Sequence, residues 1–424
     1  MERREFIKWA SASAALIALP GCATSSGGGK SAGRVVVVGG GYAGATAAKY
    51  VRMWAPDIEV VLVERNAEFI SCPMSNRVLG GMLSIQDLTS SYGKLGPKYG
   101  VQVVKDEVVG VDAEKRTLKL AYGETLSYDR LIVAPGIDFM YEAIPGLNNA
   151  GAQQKVLHAW KAGEQTVALR KQLESMPDGG VYALSIPKTP YRCPPGPYER
   201  ACQVAFYFKQ HKPKSKVLIL DANEDVVSKK GLFTKAWKDM YPGIVEYRPN
   251  SELVDVDVST MTAKLQFEDV KTSVLNVVPP QKAGKIAATA GLITANNRWC
   301  GVDFLSFESV AHKNIHVLGD ATLSAPGMPK SGHMANQHAK ICAAAVVALM
   351  HGEQVNSSPM IANTCYSFVS DKEAMHVASI HQYDAEKKTL VTVQGSGGVS
   401  SASSDIEGQY AEAWARNIWA DVLG

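Results

Sequence analysis

Apolar positions along this chain fall in short, nearly unbroken runs, most of them closed by a glycine or an acid, with alanine-rich stretches between some of them. The first such region, residues 34–64, reads RVVVVGGGYAGATAAKYVRMWAPDIEVVLVE. It predicts an apolar strand, a glycine turn, an Ala-rich helix and a second strand ending in an acid, a βαβ unit. YDRLIVAPG (128–136) and KNIHVLGDA (313–321) each predict a buried strand running into a tight turn. Between them, GGVYALSI and SKVLILDAN predict two more strands, and after MPKSGHMAN (328–336) the pattern becomes an Ala-rich helix. In the tail, Trp414, Ile418 and the Leu423 region fall on one helical face, which serves equally to cap the core or to dock a partner.

The glycines of the first unit carry chemistry. Gly39, Gly41 and Gly44 stand in G-x-G-x-x-G register, and Glu64 follows twenty residues beyond the last of them. Such glycines permit a tight turn, close approach of backbone to a pyrophosphate and close helix–strand packing, while the acid accepts from ribose hydroxyls. With a strand before, a helix after and the acid at the right distance, the unit reads as a dinucleotide site.

The two later strand-turns lie about 95 and 280 residues after that glycine turn. This layout resembles FAD-dependent oxidoreductases with two dinucleotide-binding domains, in which the aspartate of the GD pair, here Asp320, binds a ribityl hydroxyl. The expected fold is α/β: a discontinuous FAD domain over 32–150 and 285–355, a second Rossmann-like domain over 151–284, and a small α+β domain over 356–424. In the second domain, the strand leads into SIPKTPYRCPPGPYER (185–200) where a phosphate loop is expected. Pro187, Pro190, Pro194, Pro195 and Pro197 remove N–H donors and stiffen φ, the reverse of an anion cradle. The next strand still ends in an acid, Asp221. NAD(P)H binding is therefore not expected.

Composition adds limits. The 424 residues are 46% hydrophobic and 20% charged, too long for one ordinary core, and the net charge of +3 includes no basic stripe of the kind nucleic-acid binders carry. The N-terminus joins Arg3, Arg4, Phe6, Ile7 and Lys8 to an apolar run from Ala10 to Leu19. That order resembles a twin-arginine export signal, expected to end near residue 31 and to deliver the chain, folded with its cofactor, to the periplasm. A lipoprotein cleavage at Cys22 is the alternative, which Pro20 fits badly. No later run approaches the roughly 18 apolar residues of a membrane span. The six later cysteines, Cys72, Cys193, Cys202, Cys300, Cys342 and Cys365, include neither C-x-x-C nor C-x-x-C-H. A zinc ribbon and a haem on this chain are thus disfavoured, and no metal is expected.

The stretches ISCPMSN, HAWKAGEQT, YRCPPGPYER, VVPPQKAGKIA, IHVLGDA, MPKSGHMAN and PMIANTCYS, with the glycine motif, run in order through nearly the whole mature chain. They resemble the flavoprotein subunit of flavocytochrome c sulfide dehydrogenase. The resemblance implies an FAD-dependent sulfide oxidoreductase whose electrons pass to a c-type cytochrome subunit on another chain. It implies that Cys72 forms a thioether to the flavin, that Cys193 and Cys365 are a redox-active disulfide, and that Glu199 takes the substrate proton. Lys330, at the start of the Ala-rich helix, is carried over from related flavoenzymes as a charge beside the flavin ring; His333 and His338 are expected to face the site but, five residues apart, do not form the i,i+4 pair of a helical metal site. From the residues alone, Cys72 reads as a buried small hydrophobe, Cys193 as a structural half-cystine, even a partner for Cys202, and Glu199 as an exposed acid paired with Arg200. Cys202, Cys300 and Cys342 read as core. Two other functions share the same dithiol: a sulfide:quinone oxidoreductase, and a disulfide-exchange subunit that reactivates a sulfur-oxidising partner.

Overall fold

The computed structural model describes residues 31–424; apart from Ser31, the expected export segment, with Cys22, lies outside them. Four early strands, β1 (Gly33–Val38), β2 (Ile58–Glu64), β3 (Gln102–Lys105) and β4 (Arg130–Val133), belong to one sheet, and helix α1 (Tyr42–Trp54) joins the first two. Four more, β5 (Val181–Ile186), β6 (Lys216–Asp221), β7 (Val245–Arg248) and β8 (Val274–Val277), make a second. The chain then returns to the first sheet with β9 (Val302–Asp303), β10 (Glu308–Ser309) and β11 (Ile315–Val317), giving the order β9-β10-β11-β4-β1-β2-β3. The strands from β11 to β3 are parallel, with Val36 level with Val61 on one side and Leu131 on the other.

Why the apolar runs are unbroken is plain from burial. Val35, Val36 and Val37 are fully buried, because both faces of a central parallel strand are covered. On one face lie α1 and helix α2 (Gly332–Met350), tied where Asn336 Nδ2 donates to Thr46 Oγ1 at 3.1 Å. Ala43, Ala47 and Ala339 keep that helix packing close.

The second sheet is wholly parallel, in the order β7-β6-β5-β8. Helix α3 (Gly196–His211) follows the proline loop and crosses between β5 and β6. The tail forms an antiparallel sheet of β12 (Met360–Phe368), β13 (Ala374–Asp384) and β14 (Thr389–Thr392), then helix α4 (Asp405–Leu423). Ile418, Val422 and Leu423 of α4 are buried in the core beneath the first sheet. Among the described residues no helix is long and apolar enough to cross a membrane.

Candidate functional site

The ends of β1, β2, β4 and β11, the proline loop, the start of α2, the middle of β12 and the side of α4 surround one cavity of about 460 Å³. Its floor is the glycine turn. Gly39 holds a left-handed φ of +95°, and a Cβ there would meet Ala134 O at 2.5 Å; one on Gly44 would meet Gly39 O at 1.8 Å. Gly41 is different: a Cβ there meets nothing within 4 Å, because that face opens on the cavity. Gly41 is also the N-cap of α1 and no side chain caps the helix, so its first turn offers N–H donors and positive dipole to an anion.

The two acids stand where the sequence places them, at the cavity wall. Glu64 accepts from Gly40 N–H at 2.6 Å through one oxygen and from Asn66 N–H and Nδ2 at 2.7 and 2.6 Å through the other. Asp320 follows Gly319, whose φ is +70°. Its Oδ1 is buried and has no hydrogen-bond partner, and its Oδ2 lies 3.9 Å from Arg192 Nη1. Burial pushes its carboxyl pKa up against the pull of Arg192 and Lys330. An orphaned carboxylate oxygen in such a cavity needs a donor such as a hydroxyl. Together with the open face at Gly41, it makes these residues fit FAD.

Lys330 departs from expectation. Its side chain is buried away from the cavity, over the Trp299 ring, and Nζ donates to the carbonyls of Asp320 and Thr322. A desolvated amine finds carbonyl acceptors two residues apart in the GD turn, and those hold it. What reaches the cavity instead is the N-terminal end of α2: Ser331, Gly332 and His333. His333 Nδ1 accepts from Thr364 N–H at 3.0 Å, so His333 joins the helix to β12. His338 lies in the core, its ring 4.4 Å from that of Phe307 and its Nε2 3.3 Å from Met328 Sδ, and does not face the site.

Cys72, Cys193 and Cys365 all line the cavity, and all are free thiols in this structure. Cys72 Sγ is 3.4 Å from Arg192 Nη2 and 3.5 Å from Ala162 N. Cys193 has a left-handed φ of +58°, fixed by two backbone bonds: its N–H donates to Lys330 O at 2.8 Å and its carbonyl accepts from Gly196 N–H at 2.9 Å. Gly196 leaves room for the sulfur, since a Cβ there would come within 2.8 Å of Cys193 Sγ. Cys365 sits in the middle of β12, its Sγ 3.4 Å from Asn363 Nδ2. Burial raises both thiol pKa values, and at Cys193 the neighbouring Cys365 is the next largest cause. Cys202 is fully buried within α3 and does not line the cavity; Cys300 and Cys342 are core residues.

Glu199, in the first turn of α3, is buried and lines the cavity; it is neither exposed nor paired with Arg200. Its Oε1 accepts from Phe368 N–H and its Oε2 from Asn76 Nδ2, both at 2.8 Å. Burial raises its pKa, with those two bonds opposing. Arg200 points elsewhere, to Asn76 Oδ1, Asn276 Oδ1 and the carbonyls of His158 and Ala159. Arg192, Asn76 and Trp414 are wall residues that sequence reasoning did not assign to the site. Arg192 had a signal in its place beside Cys193, and Trp414 in its helical face. Asn76 had none.

Three family models match the chain. One is the central region of the sulfide dehydrogenase (flavocytochrome c) flavoprotein chain, over 166–279; another is the flavin-binding region of flavocytochrome c sulphide dehydrogenase, over 357–423. The third, pyridine nucleotide-disulphide oxidoreductase, covers 33–175. The sulfide dehydrogenase (flavocytochrome c) flavoprotein chain of Chlorobaculum thiosulfatiphilum is 58% identical over 45 residues, 11% of this chain and 94% of that sequence. The chain belongs to the flavocytochrome c sulfide dehydrogenase flavoprotein family. The family's flavin-binding region thus contributes β12, α4, Cys365 and Trp414 to the cavity. Mitochondrial sulfide:quinone oxidoreductase of Dictyostelium discoideum is 24% identical over 306 residues, 69% of this chain and 66% of that protein. This flavoprotein chain therefore spans just under two thirds of that relative. The structure of the sulfide:quinone oxidoreductase from Aquifex aeolicus superposes with a TM-score of 0.76 at 17% identity, covering 92% of this chain and 91% of that one, and shows the same fold.

Proposed function

We propose that this chain oxidises hydrogen sulfide through a Cys193–Cys365 disulfide and delivers the electrons, by way of FAD, to a separate c-type cytochrome subunit. The observation that carries the reading is that two cysteines 172 residues apart in sequence line the same cavity as the glycine turn and Asp320. Hydrosulfide is a soft nucleophile, and its attack on a disulfide sulfur forms a protein persulfide and releases the other sulfur as thiolate. Glu199 takes the proton, a task for which burial has raised its pKa toward the working range. Bound FAD supplies a two-electron acceptor that can give electrons up singly. The residues that hold it are Gly39, Gly41, Gly44, Glu64 and Asp320.

NAD(P)H has no part in this reading. Asp221, the acid a nucleotide ribose needs in the second domain, is buried and already accepts from Tyr198 and Tyr247 hydroxyls at 2.7 and 3.1 Å and from Asn223 N–H at 2.9 Å. Export to the periplasm by the twin-arginine route belongs to the same proposal, since a c-type cytochrome partner is met there.

In the direct test, hydrosulfide added anaerobically bleaches the flavin of the purified protein, and the protein together with a c-type cytochrome turns over sulfide. The low-pH limb of kcat/KM follows the deprotonation of Glu199 and lies above the ordinary carboxylate range. Flavin bleaching with no cytochrome reduction, with or without the cytochrome subunit, overturns the electron path.

We further propose a thioether from Cys72 to the flavin, supported by the position of Cys72 on the cavity wall, its sulfur 3.4 Å from Arg192 Nη2. The denatured wild-type chain is expected to carry the added mass of FAD and C72S to lack it. A wild-type chain at its unmodified mass refutes the tether.

A further inference from the structure

Lys229 stands behind the sulfur pair without lining the cavity. It lies just before the helix Lys230–Met240, in the loop that leaves β6, with a left-handed φ of +54°. Its side chain runs inward and is buried, and Nζ donates to Cys365 O at 2.9 Å, Ser367 Oγ at 2.8 Å and Met375 O at 3.4 Å. All three acceptors are neutral. A buried ammonium so placed is costly unless an anion forms close by.

The candidates for that anion can be taken in turn. Facing Lys229 are Cys365 from β12, Glu199 and Cys193 from the two sides of the proline loop's end, and Glu407 from α4. Glu407 is engaged by His376 Nδ1 at 2.7 Å. Glu199 already spends one oxygen on Asn76 Nδ2 and the other on Phe368 N–H. That leaves the two sulfurs, and Lys229 binds the backbone of one of them. The cation nearest Cys193 in sequence, Arg192, is committed to Trp160 O, Cys72 Sγ and Asp320.

We propose that Lys229 is the positioning residue that makes Cys365, and not Cys193, the sulfur that leaves as thiolate when the pair is opened, so that the substrate sulfur is loaded on Cys193. This rests on the sulfide chemistry proposed above. In the step, a bond forms between hydrosulfide sulfur and Cys193 Sγ while the Cys193–Cys365 bond breaks. The electron pair of the broken bond goes to Cys365 Sγ and the proton to Glu199; substrate sulfur is oxidised and the disulfide is reduced. In thiol–disulfide exchange the more acidic thiol is the better leaving group. Burial raises both thiols, but at Cys365 the next influence is the opposing charge of Lys229, whereas at Cys193 the next two, Cys365 and Glu199, add to the rise. Lys229 itself is pushed down to about 8 by burial, so its charge is present at neutral pH and is lost above that.

The test uses the full chain reduced anaerobically with dithiothreitol, pulsed with iodoacetamide across pH, and digested to map each cysteine. Cys365 is expected to label at lower pH than Cys193. K229M is expected to move the Cys365 profile up by about one pH unit, roughly a tenfold loss of labelling rate near neutrality, and K229R to restore most of it. Cys193 labelling first in the wild type, or an unmoved Cys365 profile in K229M, overturns the inference; the wild-type order decides the matter even where K229M fails to accumulate. The sulfide reading fails separately, if unreduced wild-type protein yields no Cys193–Cys365 linked peptide.

Discussion

C365S is expected to lose sulfide-dependent cytochrome reduction by at least ~10³-fold while retaining its flavin, because a nucleophilic route that needs two sulfurs has no partial version. The change is small in volume and lies at a partly buried strand position whose backbone pairing with Val377 is unaffected. A folding defect is thus not expected, and the flavin absorbance of the purified variant checks this directly. C193S should match it, and the double variant should be no worse than either, since residues acting as one unit are not additive. Turnover of either single variant within about tenfold of wild type, against the ~10³-fold loss that a shared nucleophilic unit implies, removes the disulfide from the mechanism.

R200M is expected to show the largest loss of stability, about 3 kcal/mol or more, read as the shift in denaturant midpoint. Arg200 is fully buried and donates to four acceptors drawn from three parts of the chain. Two effects oppose each other. Removing a buried charge recovers its desolvation cost, which burial already expresses as a lowered guanidinium pKa. Removing it also orphans Asn76 Oδ1 and the Ala159 carbonyl, at ~1–3 kcal/mol each, whereas Asn276 Oδ1 keeps the Tyr182 hydroxyl at 2.8 Å and His158 O keeps Asn276 Nδ2 at 3.0 Å. The orphans win, because methionine fills the volume but supplies no donor. The same loss reaches the chemistry: Arg200 Nε fixes the amide of Asn76 so that Nδ2 faces Glu199. A midpoint corresponding to less than ~0.5 kcal/mol of change, the level of an ordinary surface substitution, contradicts this account.

What could be read before folding and what could not divide along one line. Gly39, Gly41, Gly44 and Glu64 announce themselves because the turn, the helix and the strand that need them are local, and Asp320 because its strand-turn has the same form. The parallel sheets follow from runs such as Val35–Val38, in which no polar residue alternates. Asn76 and Lys229 act through partners 120 or more residues away and Arg200 through partners 41 to 124 residues away, and only a finished tertiary structure supplies those. Lys330 shows the limit within a short segment: its position beside the helix start is as read, yet its amine turns to the carbonyls of the GD turn. Its backbone, not its charge, meets the sulfur loop, at Cys193 N–H.

The walls of the cavity are drawn from Val38 at one extreme to Trp414 at the other. A nascent chain therefore has no compartment for its cofactor until almost all of it has left the ribosome, and flavin capture is among the last events of its biogenesis. The twin-arginine export proposed above suits that order, because it moves a chain already completed and filled.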